Sequence, residues 1–391
     1  MQRRSFIRLA GGGAVAAATL SSVALSGCTP VMPEDAIEAW KGPSAELQGG
    51  DVRHWLLSYA ILAPHSHNLQ SWIADLRTPG DITLRCDLKR LLPQTDPLSR
   101  QIMMSHGTFL ELLDMAARER GLRADITLFP QGPFGPEKLD ERPVAHIRLT
   151  PDATVKRDPL FAHLLHRHTH RGLYDLARAV PESAWAAMAS SIQDPGVRLG
   201  HVGLENPAQM KTHRSIAQEA WRIELVTPRT IMESFDVLRV GASEISQHRD
   251  GLSLLAAVPV ALSKLGLFDK SKPPSPQDYA TTSQIKDFGE KMESTPGFLW
   301  MVTDANDRAT QINAGRAYVR VQLAATAQGL VMQPLSQALQ EYAEQKVPYQ
   351  EIHKLTGATQ PGQTLQMWAR VGYGAPIGPS PRRRLQDFIR T

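Results

Sequence analysis

The sequence predicts an internally duplicated α+β protein with mixed sheets flanked by helices. Two observations carry this. Short apolar runs that fit strands alternate with long stretches of 3.6-residue periodicity. The order strand, long helix, strand, strand also occurs twice, and each long helix ends at a Gly-Leu pair. In the first copy, Ile82 to Cys86 is a strand and a helix runs from about Arg100 to Arg120. Gly121-Leu122 ends that helix, and strands at Ile126 to Phe129 and Val144 to Leu149 follow. In the second copy, Phe298 to Val302 is the strand and Asp307 to Gln328 the helix. Gly329-Leu330 ends it, Val331 to Pro334 continues extended, and Leu365 to Val371 closes the unit.

Between the copies the pattern is helical. Met210 to Leu225 has helical periodicity, and Thr227-Pro228 opens another helix, with threonine as N-cap and proline at the first position. Leu252 to Phe268 is apolar but interrupted by Pro259 and Lys264, which suits a buried helix or a lid better than a membrane span. The expected organisation is a first half at 51–155 and a second at 156–391, with a helical insertion at about 205–295.

The chain has 391 residues, 42% apolar and 21% charged, a globular composition. Two cysteines, Cys28 and Cys86, cannot build a disulfide framework or a cysteine-based zinc site. Residues 1–28 have the pattern of a targeting segment: Arg3-Arg4 in a charged start, a weakly apolar stretch, then Leu25-Ser26-Gly27-Cys28. That ending resembles a bacterial lipobox with Cys28 as the acylated residue. The twin arginines imply export of a folded protein to the periplasm, there to be anchored by lipid. Removing residues 1–27 takes away three arginines and no acid, so the net charge of +4 falls to about +1. A near-neutral body gives no reason to invoke nucleic acid. Residues 29–50, rich in Pro, Gly and small polar residues, are expected to be a tether.

Asp51 to Leu62 reads as an amphipathic helix that stops before Pro64. The polar loop from Ala63 to Trp72 follows. Its Ser, His and Asn side chains can address both donors and acceptors of a heteroaromatic ring, or simply cap a turn. Farther on, His166-Arg167-His168-Thr169-His170-Arg171 follows an apolar helical run, Pro159 to Leu165. On a helical turn Arg167 and Arg171 would share a face with Thr169 between them, suited to bidentate capture of phosphate oxygens. Taken alone, a solvated basic turn fits as well. A second basic cluster, Arg382-Arg383-Arg384, lies near the C-terminus. The four histidines His163, His166, His168 and His170 also offer a metal reading, because His166 and His170 have helical ligand spacing; no Cys, Asp or Glu stands beside them in sequence.

Several of these segments together resemble the nitroreductase-like flavoprotein superfamily, and within it the twin-arginine-exported, Acg-type branch. Pro64-His65-Ser66-His67-Asn68-Leu69-Gln70-Ser71-Trp72 is similar to the family's Pro-Ser-Ser-x-Asn-x-Gln-Pro-Trp loop, with His65 and Ser71 as departures. Arg167 to Arg171 is similar to its Arg-Arg-Ser-x-Arg stretch, with His168 in place of an Arg and Thr169 in place of the Ser, Gly329 to Pro334 to the strand beside the flavin N5, and Arg382 with Arg384 to its terminal basic pair. The resemblance implies FMN as cofactor. Arg167, Thr169, Arg171, Arg382 and Arg384 would hold its phosphate. His65, Ser66, Asn68 and Gln70 would face the ring, and a backbone N–H near Gln333 would meet N5. It implies an oxidoreductase passing hydride from a small-molecule donor to a nitroaromatic- or quinone-like acceptor. The alternative is a protein that holds flavin without turning it over.

Family members of this kind pair two subunits around the flavin. Here the loop stands in the first half, and the phosphate cluster and basic tail stand in the second. The chain therefore resembles a monomeric pseudo-dimer that keeps one flavin site of two.

Overall fold

The computed structural model describes residues 31–391; the leader and the acylation expected at Cys28 lie outside the described residues. Helix α1 (Val52–Ala60) begins where the Asp51 side chain accepts from the Arg53 amide, and it buries Trp55, Leu56 and Leu57. The ladder then runs through β1 (Trp72–Asp75), β2 (Asp81–Cys86), helix α2 (Arg100–Glu119), β3 (Leu122–Leu128) and β4 (Pro143–Pro151).

The second half starts with α3 (Glu182–Ser190) and β5 (Val197–Gly203). A helical excursion follows: α4 (Pro207–Val226), α5 (Pro228–Asp236), α6 (Gly241–His248), α7 (Ala257–Lys264) and α8 (Tyr279–Glu293). Inside it, β6 (Leu238–Val240) and β7 (Leu252–Leu254) form a small parallel pair. The chain returns with β8 (Gly297–Thr303), α9 (Arg308–Ala327), β9 (Val331–Pro334), α10 (Lys346–Leu355), β10 (Thr364–Gly372) and a final strand, β11 (Ile389–Arg390).

Two sheets result. One has the order β11-β1-β2-β4-β3 and the other β5-β8-β10-β9. Apart from the parallel pairing of β11 with β1, every ladder in both is antiparallel. The order β1-β2-β4-β3 repeats as β5-β8-β10-β9, with a 20-residue helix at the same place in each. Gly121 and Gly329, at φ of 66° and 69°, end the two helices in the left-handed conformation that favours glycine.

Helices α2 and α9 cross at the centre of the molecule. Gly107 lies against the Ile312 carbonyl, and Gly315 against the Met104 carbonyl; a Cβ at either glycine would run into backbone. Arg308 of α9 crosses into the first half and donates to the carbonyls of Leu98, Gly135 and Pro136. Arg100 of α2 crosses the other way to the carbonyls of Leu339 and Gln366. Ile312, Val319 and Leu323 of α9 join the core cluster of the first sheet.

Three expectations need correction. Residues 29–50 are not simply a tether: Glu34–Ile37 and Ala45–Gly49 are single helical turns, and Ala36 and Trp40 are buried. Leu252 to Phe268 is not one buried helix. It is strand β7 followed by α7, which has no buried residue, because Pro259 and the Ser and Lys positions leave no continuous apolar face. Pro159 to His166 is helical as expected, in the 3-10 form, but the helix stops at Arg167, so Arg167 and Arg171 do not share a helical face.

Candidate functional site

Beyond the 3-10 helix the backbone opens out. Arg167 has φ −72° and ψ 120°, Thr169 forms a parallel bridge with Met332, and the His170 amide donates to the Met332 carbonyl at 2.9 Å. The basic segment therefore runs extended beside β9, and Arg167 and Arg171 meet different surroundings.

Arg167 turns into the protein. Its Nη2 donates to the Leu62 carbonyl at 2.9 Å and its Nη1 to Gln322 Oε1 at 3.0 Å. Arg382, from the C-terminal tail, reaches the same Leu62 carbonyl with Nη2 at 3.2 Å, while its Nη1 donates to Asn68 Oδ1 at 2.8 Å. The mid-chain segment, the tail and the early loop thus meet at one point. Trp40 lies over both guanidinium groups, its ring centroid 5.5 Å from one Cζ and 4.8 Å from the other.

The electrostatics of this point are unusual. Both arginines are at most 3% exposed, and among the described residues neither forms an ion pair. Burial pulls Arg167 down to about 10, and burial together with Arg167 holds Arg382 well below the ordinary arginine value. An unpaired buried charge costs several kcal/mol, and the face of Trp40 returns only about 1–2 kcal/mol of that. Three buried nitrogens here, Arg167 Nε, Arg382 Nε and His168 Nδ1, have no hydrogen-bond partner. The Nη groups of both arginines are taken up by protein acceptors, so the unpartnered Nε–H of each, on two unneutralised guanidiniums, is what an anion could meet.

The loop at 64–72 is held under backbone strain. His67, Asn68 and Gln70 all have φ near +50°, a region that non-glycine residues seldom adopt. His65 locks it: Ser71 N–H donates to Nε2 at 3.0 Å, so Nδ1 carries the proton and donates to the Ser66 carbonyl at 2.8 Å. Burial keeps this ring neutral. Gln70 is fully buried, donates to the Arg249 carbonyl at 2.9 Å and accepts from the Arg383 amide at 2.8 Å. Both are braces, with no polar atom left to face a ring, contrary to the expectation for His65 and Gln70. Ser66 and Asn68 are only half-buried. Ser66 Oγ lies 3.3 Å from both His67 Nδ1 and Gln101 Oε1.

Arg171 does not join that point: its side chain is exposed, although surrounding protein depresses its pKa. Its electrostatic neighbours are His67, Glu224 and Lys291. Arg370 fixes this side, donating to the carbonyls of Gly172 at 2.7 Å and Lys291 at 3.1 Å. Desolvation pushes His67 down to about 4 and Glu224 up to about 7. Arg171 thus acts electrostatically on a neutral imidazole, a readily protonated carboxyl and a second cation.

Two further expectations change. Gln333 pairs with Arg370 across β9 and β10, in register with Leu335, whose amide donates to Trp368 O. Alternate pairing then turns the Gln333 amide toward β10, and its Oε1 accepts from Arg370 Nε at 2.8 Å, so that N–H is not free for N5. Arg384 is exposed because its backbone caps the last 3-10 turn, accepting no place beside Arg382. Arg383 is buried instead and donates to the Gln70 carbonyl at 2.9 Å. Trp40 and Gln322 were not anticipated. The one hint of Trp40 was an aromatic residue in a stretch otherwise suited to a tether. Among the described residues, no three His, Cys, Asp or Glu side chains gather in a form that could hold a metal.

No family model matches the chain. Two proteins of Mycobacterium tuberculosis, from strains CDC 1551 and H37Rv and provisionally named NAD(P)H nitroreductases, are 25% identical over 366 residues, covering 89% of this chain and 95% of theirs. Solved structures with partial likeness include an FMN-dependent nitroreductase of Mycobacterium smegmatis in complex with NADPH, at 16% identity, TM-score 0.36, covering 59% of this chain and 97% of that one. A nitroreductase of Desulfovibrio desulfuricans in complex with FMN aligns at 12% identity and TM-score 0.33, over 59% and 95%. The similarity to the mycobacterial proteins along nearly the whole chain supports a place for it among nitroreductase-like proteins.

Proposed function

We propose that this protein binds FMN and passes electrons from a small-molecule donor to a nitroaromatic- or quinone-like acceptor. The observation that carries the reading is the pair of buried, unneutralised guanidiniums, Arg167 and Arg382, meeting the loop at Leu62 and Asn68. They would hold the phosphate, with Thr169 alongside. Asn68, whose Oδ1 accepts from Arg382 and whose Nδ2 donates to the Pro381 carbonyl, would brace the loop against the tail; Ser66 would orient the ring, which would extend toward His67 and Arg171. Flavin supplies the two-electron chemistry; the chain supplies binding, orientation and charge. Arg171 would favour the negative charge that reduction brings. The names of the mycobacterial relatives favour this reaction class.

The same proposal includes a duplicated, single-chain arrangement with one flavin site. Its support is the repeated strand order and the reciprocal glycine contacts of α2 and α9. Export by the twin-arginine route and a lipid anchor at Cys28 complete the proposal, resting on the leader sequence.

One observation favours the second reading, flavin holding without turnover. The insertion is bound to the loop itself: the Gly251 amide donates to the Asn68 carbonyl at 3.1 Å, and Gln70 holds Arg249. The visible spectrum of purified protein tests the first claim, with oxidised-flavin bands expected. Steady-state NADPH oxidation with a nitroaromatic acceptor then separates turnover from holding. A colourless protein that takes up no FMN removes both readings.

A further inference from the structure

We infer that the N-terminal arm, Glu34–Lys41, closes the phosphate end of the site, and that Trp40 is the residue that positions Arg167 and Arg382 beneath it. The inference rests on the FMN reading above and adds how that ligand is let in and kept.

The arm is fastened at both of its ends to elements distant in sequence. At one end Asp35 pairs with Arg249 at 2.6 Å and accepts from Ser246 Oγ at 2.8 Å, which ties the arm to α6 and the insertion. At the other, Trp40 Nε1 donates to the Ser380 carbonyl at 2.8 Å. Between them the Arg382 amide donates to the Ala36 carbonyl at 2.8 Å. The Trp40 indole therefore covers a point where two like-charged groups sit side by side. It also meets His168 edge-on, with centroids 4.9 Å apart. The three unpartnered nitrogens, Arg167 Nε, Arg382 Nε and His168 Nδ1, all belong to groups in contact with this one ring.

Two consequences follow from the chemistry. A π-face is the one apolar surface that a guanidinium tolerates well, so Trp40 keeps the two arginines in place when no anion neutralises them. A fully covered phosphate cannot leave until the cover lifts, so the arm sets the release rate of a phosphorylated flavin. The arm's outer clasp is an ion pair in which Asp35 is 47% exposed, weak enough to open.

The test uses the full chain loaded with FMN or with riboflavin, which lacks the phosphate, and follows release by flavin fluorescence after dilution. Trp40→Ala and Asp35→Ala should each release FMN about tenfold faster or more. Riboflavin release should change little, and Trp40→Phe should restore most of the retention. Equal acceleration of both flavins, or no change in FMN release in either variant, would overturn the inference while leaving FMN binding intact. If the wild-type chain takes up no FMN, the earlier reading fails. Hydrogen exchange of residues 34–41 with and without inorganic phosphate then decides on the arm: slowed exchange on phosphate supports it, and indifference overturns it.

Discussion

Arg167 and Arg382 donate to the same carbonyl oxygen, that of Leu62, from segments on opposite sides of the second half of the chain. Two like charges are brought together by a shared acceptor and by the Trp40 ring, with no acid between them. Arg382→Ala removes one charge and the clamp on Asn68. A charge-assisted phosphate contact is worth about 1.5–3 kcal/mol, so FMN should bind roughly 10- to 100-fold more weakly in a fluorescence titration. Arg384→Ala, two residues on and exposed, should leave affinity unchanged. Equal losses in both variants would place the phosphate elsewhere.

The crossing of α2 and α9 gives a prediction about stability. Gly107 and Gly315 each meet a carbonyl of the opposite helix, so a single methyl at either position forces the helices apart. Overpacking of this kind costs about 1–3 kcal/mol, and here backbone rather than a flexible side chain must yield. Gly107→Ala and Gly315→Ala should lower stability by similar amounts in denaturant unfolding, because their contacts are reciprocal. Gly378→Ala, with open space around the position, should be near neutral.

Glu224 carries a pH dependence. Burial raises its pKa from an ordinary 4.5 to about 7, with partial relief from Gln340, which donates to its Oε2 at 2.6 Å. The folded state thus binds the proton more tightly than the unfolded one between pH 4.5 and 7, so this group's contribution falls as pH rises through that window. Glu224→Gln keeps an acceptor for Gln340 and removes the charge. It should stabilise the protein more at pH 8 than at pH 4.5, by up to about 3 kcal/mol. His67 and His168, both held near 4 by burial, act in the opposite direction, losing stability as pH falls below 6.5. The difference between variant and wild type isolates Glu224; a difference independent of pH would mean that its carboxyl titrates normally.

Much of this was legible before any coordinates. The long helices declared themselves by periodicity and by the glycines that end them, since both are local signals, and Arg100–Glu119 and Arg308–Ala327 fall within a residue or so of expectation. The meeting of the 62–70 loop, Arg167 and Arg382 was legible only through resemblance to a family, because contacts between such distant segments leave no periodicity. What the sequence hid was direction. Arg167 and Arg171 look alike four residues apart, but the segment between them is irregular, with one bridge to β9 at Thr169, and it leaves Arg167 buried and Arg171 exposed. His65 and Gln70 look like ligands because they are polar, yet their hydrogen bonds are consumed, those of His65 within the loop's own turn and those of Gln70 by Arg249 and Arg383. Trp40 was hidden by the composition around it.

Arg171 gives the last prediction, and it differs from the one its sequence suggests. A member of the phosphate cluster would, on removal, release the cofactor. Arg171 instead is exposed and acts electrostatically on His67, Glu224 and Lys291, whereas Arg167 and Arg382 are buried. If the flavin ring extends toward His67, the guanidinium acts on the charge that reduction adds rather than on the phosphate. Arg171→Ala should then retain FMN within a few-fold of wild type but lower its midpoint potential by about 20–60 mV, where 30 mV corresponds to about 1.4 kcal/mol for a two-electron couple. Arg171→Lys should recover most of the shift, because a point charge suffices where no bidentate geometry is required. Loss of flavin in Arg171→Ala with an unshifted potential in the fraction that stays bound would return Arg171 to the phosphate and move the ring away from His67.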